Sequence, residues 1–553
     1  MKRERLQLWV CAALTAVLLS IPYLVPGCGA FSLVAFIPLL VAERLSFLRG
    51  GRHFWICHYS TFLAWNLVTT FWVCNATVGG GLFASFANAL QMSLVFGLFR
   101  WVKKRWKGVL PYIFLAFMWI AWERYYLTVA QISWPWLVLG NSFARTLPLV
   151  QWYEYTGTLG GSLWVWTVNL SLFGLMVALS DGSFGRWLPR TRVAAITSAA
   201  LAVVAPIALS LGIWFTYKET DDPLEVLIVQ PNIDPYNKFT AMTQQQQDAI
   251  LLDQMERSLR GRDSSALLIL TPETFTSDIV TGNVEGSRTF RRMSSFLSEH
   301  PWANMILGAS TRDFIASQSK PSHTARPAGD GYWRESHNSA LMLDGRGNHQ
   351  IFHKSKLVVG VEMTPYPAFF TRIDDMLGGV MGRDVGQDSI SVLRFSAAGR
   401  EASVGCAICY ESIYGEYCTG YVRAGADVLA VITNDAWWGD TPGYVQHLSY
   451  SSLRAVETRR DIARCANTGI SAVIDQRGRI LERTPWWEQA ELSGTVNLNR
   501  KETFYVRWGD IIGRISVFMG VMLLLAALVR AFVKRDVTPL DNAPAVKRNR
   551  VGK

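Results

Sequence analysis

The chain reads as an α/β domain with a mixed sheet inserted into a polytopic α-helical membrane domain of about eight spans. Three observations predict this. Half of the 553 residues are hydrophobic and the mean hydropathy is positive, which is too apolar for a soluble enzyme throughout. Apolar runs near the ~20 residues that a bilayer core requires recur at 6–26, 29–47, 54–75, 82–99, 109–128, 161–180, 193–217 and 511–533. Between the last two, continuous apolar strand-like runs alternate with helix-length stretches, the pattern of sheets covered on a face.

The first run, MKRERLQLWVCAALTAVLLSIPYL, has the charged head and apolar middle of a signal peptide. No small-residue cleavage site closes it and further runs follow, so it reads as an uncleaved anchor. The second, interrupted by Pro38 and closed by Glu43 and Arg44, is the weakest of the eight. Basic residues cluster in alternate loops: Lys2, Arg3 and Arg5; Arg44, Arg49 and Arg52; Arg100, Lys103, Lys104, Arg105 and Lys107; Arg186, Arg190 and Arg192. The loops between are nearly bare, so the basic ones belong on the cytoplasmic side. The expected division is seven helices in 1–217, an extracytoplasmic catalytic domain in 218–510, an eighth helix at 511–533, and a basic cytoplasmic tail at 534–553. In a double-membrane bacterium the catalytic domain is then periplasmic, on a multi-pass inner-membrane protein with both termini inside.

The segment SWPWLVLGNSFARTLPLV, 133 to 150, is expected at the outer interface rather than as a ninth span, because a ninth would place the 186–192 cluster outside. Trp134, Trp136 and Trp152 suit that position. No Asp, Glu, Lys or Arg sits mid-span, which argues against a pump or ion carrier. The net charge of +11 lies in short clusters between apolar runs and points to topology and anionic headgroups, not to nucleic acid.

In the polar region, strand-like runs occur at 225–230, 266–273, 304–310, 338–344, 404–409, 427–435 and 470–475, and helix-length stretches at 241–260, 287–299 and 443–463. The turns DGRG at 344–347 and DQRG at 475–478 predict hairpins, so the sheet is mixed. The run VGCAICYESIYGE, 404 to 416, ends a buried strand at Cys409 and turns at once into Tyr410 and Glu411. Such a junction fixes the sulfur and frees the next backbone N–H groups to face a substrate oxygen. Taken alone, the cysteine is equally a small buried hydrophobe. Cys406 and Cys409, three apart in a strand, face opposite sides, which makes them a poor redox pair.

Two more polar side chains stand at strand ends: Glu273 closes ALLILTPE and Lys354 sits in IFHKSKL. Each alone also fits a solvated charge. A carboxylate can take the thiol proton as sulfur attacks an ester carbonyl, and an ammonium with a backbone N–H can hold the oxyanion. The thioester so formed is attacked readily by an amine, a ping-pong scheme.

With LTPETF around Glu273, HNSAL around Asn338, FHKSKLVVGVE from Phe352 to Glu362, ICYES around Cys409, TNDAWWGDTPGYVQH at 433–447 and RAVETRRDIARCANTGISAVID at 454–475, the chain resembles the nitrilase superfamily. Within it, the chain is similar to the membrane N-acyltransferase family that adds the third acyl chain to bacterial lipoproteins. PWLVLGNS, 135 to 142, also looks like that family's. The resemblance covers nearly the whole chain and implies a nitrilase-like αββα sandwich. It implies Cys409 as nucleophile, Glu273 as general base and Lys354 as oxyanion stabiliser, with Glu362, Tyr410, Glu411 and Asn338 in support. It further implies a glycerophospholipid acyl donor, an apolipoprotein whose diacylglyceryl-cysteine α-amine accepts the chain, no cofactor and no metal, and a monomer. The sequence departs from the family at two places: QPNIDPYNKF carries Phe239 where a Trp is common, losing the indole donor, and VGVE replaces PFGE while keeping the acid.

MTPYPAFFTRIDDMLGGVMG, 363 to 382, suits a mobile lid dipping into lipid, or else an arm packed over the domain core. Phe369 and Phe370 here, with Phe239, Trp437 and Trp438, are the substrate and lid candidates. Two other functions compete. A membrane-tethered hydrolase of a small amide or nitrile shares the triad but gives no reason for eight spans. A transporter with an inactive outer domain leaves the Glu, Lys and Cys positions coincidental.

Overall fold

The computed structural model describes residues 2–536 except 52–53, 237, 239–240, 263–264, 377 and 398. Phe239 and most of the basic tail therefore lie outside the described residues.

The helical part comprises α1 (Lys2–Leu24), α2 (Ile37–Leu48), α3 (Phe54–Thr70), α4 (Val78–Lys103), α5 (Leu110–Thr128), α6 (Thr158–Ser180) and α7 (Pro189–Thr216). Among the described residues six segments are long and apolar enough to cross a membrane: 4–24, 29–48, 78–103, 158–180, 189–216 and 511–532. The other two expected spans fall short of that measure. α3 has only 17 residues, and α5 carries Glu123 and Arg124 among its tryptophans and tyrosines. Both still belong to the bundle, for Phe62 and Trp65 of α3 and Phe114 and Trp119 of α5 are completely buried.

Carboxylates are buried toward the ends of two of the expected spans, outside the mid-span stretches that the sequence leaves free of charge. Glu43 of α2 is fully buried and pairs with Lys103 and with Arg100 at 3.4 Å. Glu123 of α5 accepts from the Trp119 indole at 3.1 Å and the Leu139 N–H at 2.9 Å. Each finds its partner on another turn or element, which a one-dimensional reading does not reveal. The 133–150 segment forms no ninth span. It folds into short 3₁₀ turns, Pro135–Leu137, Leu139–Phe143 and Leu147–Leu149, and Trp136 is 1% exposed. Its indole donates to Gln446 Oε1 at 2.7 Å, and Tyr450 donates to its carbonyl at 2.9 Å. The segment is the seam between the bundle and the α/β domain. Pro135 and Pro148 keep it from becoming a regular helix.

The α/β domain runs β1 (Pro223–Gln230), α8 (Gln244–Leu259), β2 (Leu267–Leu270), β3 (Thr276–Val280), α9 (Arg288–Glu299), β4 (Ala303–Ala316), β5 (Arg326–Gly329), β6 (Tyr332–Asp344), β7 (His349–His353), α10 (Pro367–Met376), β8 (Leu393–Ala397), β9 (Arg400–Ile408), α11 (Gly415–Arg423), β10 (Val428–Thr433), α12 (Pro442–Thr458), β11 (Ile462–Ala466), β12 (Ala472–Ile474), β13 (Ile480–Arg483) and β14 (Ala490–Asn497). A final helix, α13 (Ile511–Asp536), returns to the bundle and packs on α5.

One sheet has the order β14-β1-β2-β4-β6-β5, with β3 on β4 and β7 on β6; the other has β13-β12-β11-β10-β9-β8. Alternate residues of β1 divide the core. Val226 and Ile228 join the inter-sheet cluster that holds Cys406, Ile408 and Ala430 of the second sheet, while Leu227 and Val229 join the cluster under Leu251 and Met255 of α8. The result is a four-layer αββα sandwich, a mixed-sheet fold as the sequence predicts. Both predicted hairpins form, β6–β7 around DGRG and β12–β13 around DQRG. β11 was hidden by Arg464 and Cys465 at the end of the expected 443–463 helix. That helix stops at Arg459 because this residue adopts a left-handed φ of 50°.

Candidate active site

The ends of β2, β7 and β9 bring Glu273, Lys354 and Cys409 to one rim of the sandwich. Lys354 is 1% exposed; its ammonium donates to Glu273 Oε1 at 3.1 Å and to Glu362 Oε1 at 2.7 Å. Asn338 on β6 donates to the same two oxygens at 2.7 and 2.8 Å. The other oxygen of Glu273 accepts from the Asn434 N–H at 3.1 Å, and that of Glu362 from the Val358 N–H at 2.7 Å. The loop carrying Glu273 crosses Gly308 so closely that a Cβ there would lie 2.1 Å from the Pro272 carbonyl, so only glycine fits.

The electrostatics assign protons. Burial works to neutralise Lys354, yet the charges of Glu273 and Glu362 hold its pKa well above the ordinary value. Burial, then the Glu273 charge, raises the Cys409 thiol, while Lys354 and a bond to the Thr433 hydroxyl oppose them. The resting pair is an ammonium and a neutral thiol. Cys409 adopts a left-handed φ of 51°, a strain of about 1–3 kcal/mol for such a residue.

Glu411 holds the turn. Its buried carboxylate accepts from Ile408 N (2.8 Å), Ser355 N (2.7 Å), Lys356 N (3.2 Å), Tyr417 OH (2.9 Å) and Tyr421 OH (3.0 Å), so it joins the lysine loop to the cysteine turn. Tyr410 points the other way and donates to the Ser133 carbonyl at 3.1 Å, tying the turn to the seam segment.

The sequence reading named no role for three residues behind the cysteine. His447 Nε2 lies 3.1 Å from the Cys409 carbonyl and 3.0 Å from Ser412 Oγ, and Nδ1 lies 2.9 Å from Asp435 Oδ1. Arg464 donates to Asp435 Oδ2 at 2.7 Å. All three sit inside the two long motifs, 433–447 and 454–475, which were the signal available. Burial and Arg464 lower the His447 pKa, and the charges of Arg464 and His447 override burial to bring Asp435 down to about 2. The donor atoms of Cys409, Asp435 and His447 fall within 4.8 Å of one another, a set that has metal-binding chemistry. Arg464 already supplies the cation that Asp435 needs, and a second one beside it would be repelled.

The other candidates are dispersed. Trp438 packs on Trp72 with centroids 4.7 Å apart and on His447 at 5.4 Å, beneath the cysteine turn. Trp437 is 39% exposed and stacks edge-on against Tyr236 at 5.3 Å. Phe369 and Phe370 contact each other on α10, with Phe369 at 64% and Met376 at 87% exposure.

The opposed effects of the two charges on the thiol give a direct test. Glu273→Gln is expected to lower the Cys409 pKa and Lys354→Met to raise it, read from the pH dependence of alkylation by iodoacetamide.

A two-sheet αββα sandwich of this topology defines a nitrilase-type domain. Residues 228–504 match the family model for carbon-nitrogen hydrolases, and the chain belongs to that family. Residues 15–171 match the model for the apolipoprotein N-acyltransferase N-terminal domain. The chain is 28% identical to the apolipoprotein N-acyltransferase of Chlorobaculum tepidum, over 90% of this chain and 91% of that one. It is 29% identical to the Geobacter metallireducens protein of the same name, over 95% of both, and 27% identical to that of Pseudomonas syringae pv. tomato, over 81% and 82%.

Proposed function

We propose that the chain is a phospholipid-dependent apolipoprotein N-acyltransferase. The observation that carries this is the joining of the two matched regions in one body. The Glu, Lys and Cys rim of the carbon-nitrogen hydrolase region, with its acid and lysine buried and its cysteine half-buried, is bolted through Tyr410, Trp136 and Gln446 to an apolar bundle matched to the acyltransferase N-terminal domain.

In this reading the Cys409 thiol passes its proton to Glu273 as sulfur attacks an acyl ester carbonyl of a glycerophospholipid such as phosphatidylethanolamine. The oxyanion takes its counter-charge from Lys354 and a hydrogen bond from the Tyr410 N–H. Collapse breaks the ester C–O bond; the lysophospholipid leaves with the proton held by Glu273, and the acyl group stays on sulfur. The α-amine of the diacylglyceryl-cysteine of an apolipoprotein then attacks the thioester. Its proton passes through Glu273 back to the leaving sulfur, and an amide is formed. Glu362 and Asn338 orient Lys354 and Glu273, and Glu411 fixes the turn. The exposed apolar side chains of α10 and of the loop after it form the lid that dips into lipid, where Phe369 and Met376 of the helix and Val380 of the loop lose their contact with water.

The topology that serves this chemistry has eight helices crossing, α3 and α5 included, with both termini cytoplasmic. Residues 218–510 then stand in the periplasm of an inner-membrane protein acting as a monomer. The basic loops at 100–107 and 186–192, both at the end of the bundle away from the α/β domain, support that orientation.

The test is transfer itself. Reconstituted protein given a phospholipid with a labelled acyl chain and a diacylglyceryl-cysteine peptide is expected to yield labelled N-acyl peptide. Ammonia release from small amides, with no labelled peptide, would instead establish a hydrolase.

A further inference from the structure

A groove of about 830 Å³ lies wholly in the helical bundle and shares no residue with the catalytic rim. α2, α4, α5 and α6 form it, and its mouth lies at the ends from which α5 starts and α2, α4 and α6 finish. The α/β domain sits at the opposite end, on the seam that follows α5. The groove walls include Phe47, Trp106, Phe117, Leu163, Phe173 and Val177. Along α6 it extends from Leu163 to Ala178, which at about 1.5 Å per residue is about 22 Å. One leaflet of a ~30 Å hydrocarbon core is about 15 Å deep. The groove is thus long enough to take a whole acyl chain.

Its mouth carries charge of one sign in excess. Arg44, Lys103 and Lys107 line it. Lys103 is held by buried Glu43, and Arg44 meets Asp181 at 3.3 Å. Lys107 has no ion-pair partner among the described residues. Lys104 and Arg186 in the flanking connections, and Arg190 and Arg192 in the first turn of α7, add positive charge. A tail-length apolar trough ending in an unmatched cation has the charge and shape complement of a lipid bearing an anionic headgroup.

We infer that this groove is a binding site for an anionic phospholipid of the leaflet away from the catalytic domain, with a tail along α6 and the phosphate at Lys107. The lipid is a resident ligand and not the acyl donor, since donor and reaction centre lie at the other end of the bundle. The site stands apart from the proposed acyl transfer and is tested without it.

Two substitutions probe its two halves. Lys107→Gln removes the unpaired charge. Gly174 lines the groove, and nothing lies within 4 Å of a Cβ placed on it, so Gly174→Phe fills the trough without a backbone clash. Full-length protein is taken from nanodiscs of equal phosphatidylglycerol and phosphatidylcholine, and bound lipid is counted by native mass spectrometry. Wild type is expected to retain phosphatidylglycerol preferentially. Lys107→Gln should reduce the preference about fivefold, the worth of one lysine near a charged headgroup, and Gly174→Phe should lose the retained lipid whatever its headgroup. Equal retention of both lipids by wild type would show ordinary boundary lipid and overturn the inference. So would an unchanged preference in Lys107→Gln, or full retention in Gly174→Phe.

Discussion

Glu273→Gln is expected to slow acylation of Cys409 by about 10³-fold, within the range for loss of a general base, while the protein remains folded. The thiol is raised by burial and by the Glu273 charge, so it does not ionise unaided near neutral pH. Something must take its proton, and Glu273 is the carboxylate whose charge reaches it most strongly. Glutamine keeps the shape, and Lys354 keeps Glu362 at 2.7 Å. With its oxygen toward the Asn434 N–H, however, its NH2 faces the Lys354 and Asn338 donors, so a loss of stability of about 1–3 kcal/mol accompanies the substitution and folding is checked beside the rate. The same substitution is expected to make the thiol more acidic, so alkylation at neutral pH becomes faster as acyl transfer becomes slower. Single-turnover acylation measured beside the alkylation rate checks both signs. A variant with near wild-type acylation would remove Glu273 from the chemistry.

Glu411→Ala is expected to cost the fold at least 3–5 kcal/mol, the scale for breaking a buried charged network. The carboxylate accepts five hydrogen bonds, three from backbone N–H groups of two different loops. Alanine takes the acceptor from three backbone N–H groups, of which that of Ile408 is buried, while the Tyr421 hydroxyl keeps the Cys406 carbonyl; each donor left dry costs about 1–3 kcal/mol. Thermal unfolding followed by tryptophan fluorescence should show a midpoint lower by about 5–8 °C for a domain of this size. Burial raises the Glu411 pKa and the Ile408 and Ser355 N–H groups pull it down. Glu411→Gln, which retains an acceptor oxygen, should fall between alanine and wild type. Equal stability of Glu411→Ala and wild type would refute the clamp.

The rim was legible in the sequence because its chemistry lies in short contiguous motifs at strand ends. Glu273, Lys354 and Cys409 each close an apolar run, and Asn338 and Glu362 sit in motifs that fold onto the same point. What stayed hidden depends on partners distant in sequence. Glu43 and Glu123 look like residues that should not be buried until Lys103, Arg100 and the Leu139 N–H are seen around them. The seam segment reads as interfacial because tryptophan suits both a headgroup layer and a packed joint, and only the contacts of Trp136 with Gln446 and Tyr450 decide. β11 was lost for a related reason. Arg464 inside a strand looks like a helix surface until Asp435 is placed against it. The network of His447, Asp435 and Arg464 lay in motifs already singled out, but its members are 12 to 29 positions apart and their bonding is a product of the fold.

The most direct test is to give the protein a phospholipid with a labelled acyl chain and no acceptor. The account predicts one label per chain, on Cys409, released by hydroxylamine and absent from Cys409→Ala. A label that resists hydroxylamine or persists in Cys409→Ala would contradict it, as would release of lysophospholipid with no label on the protein.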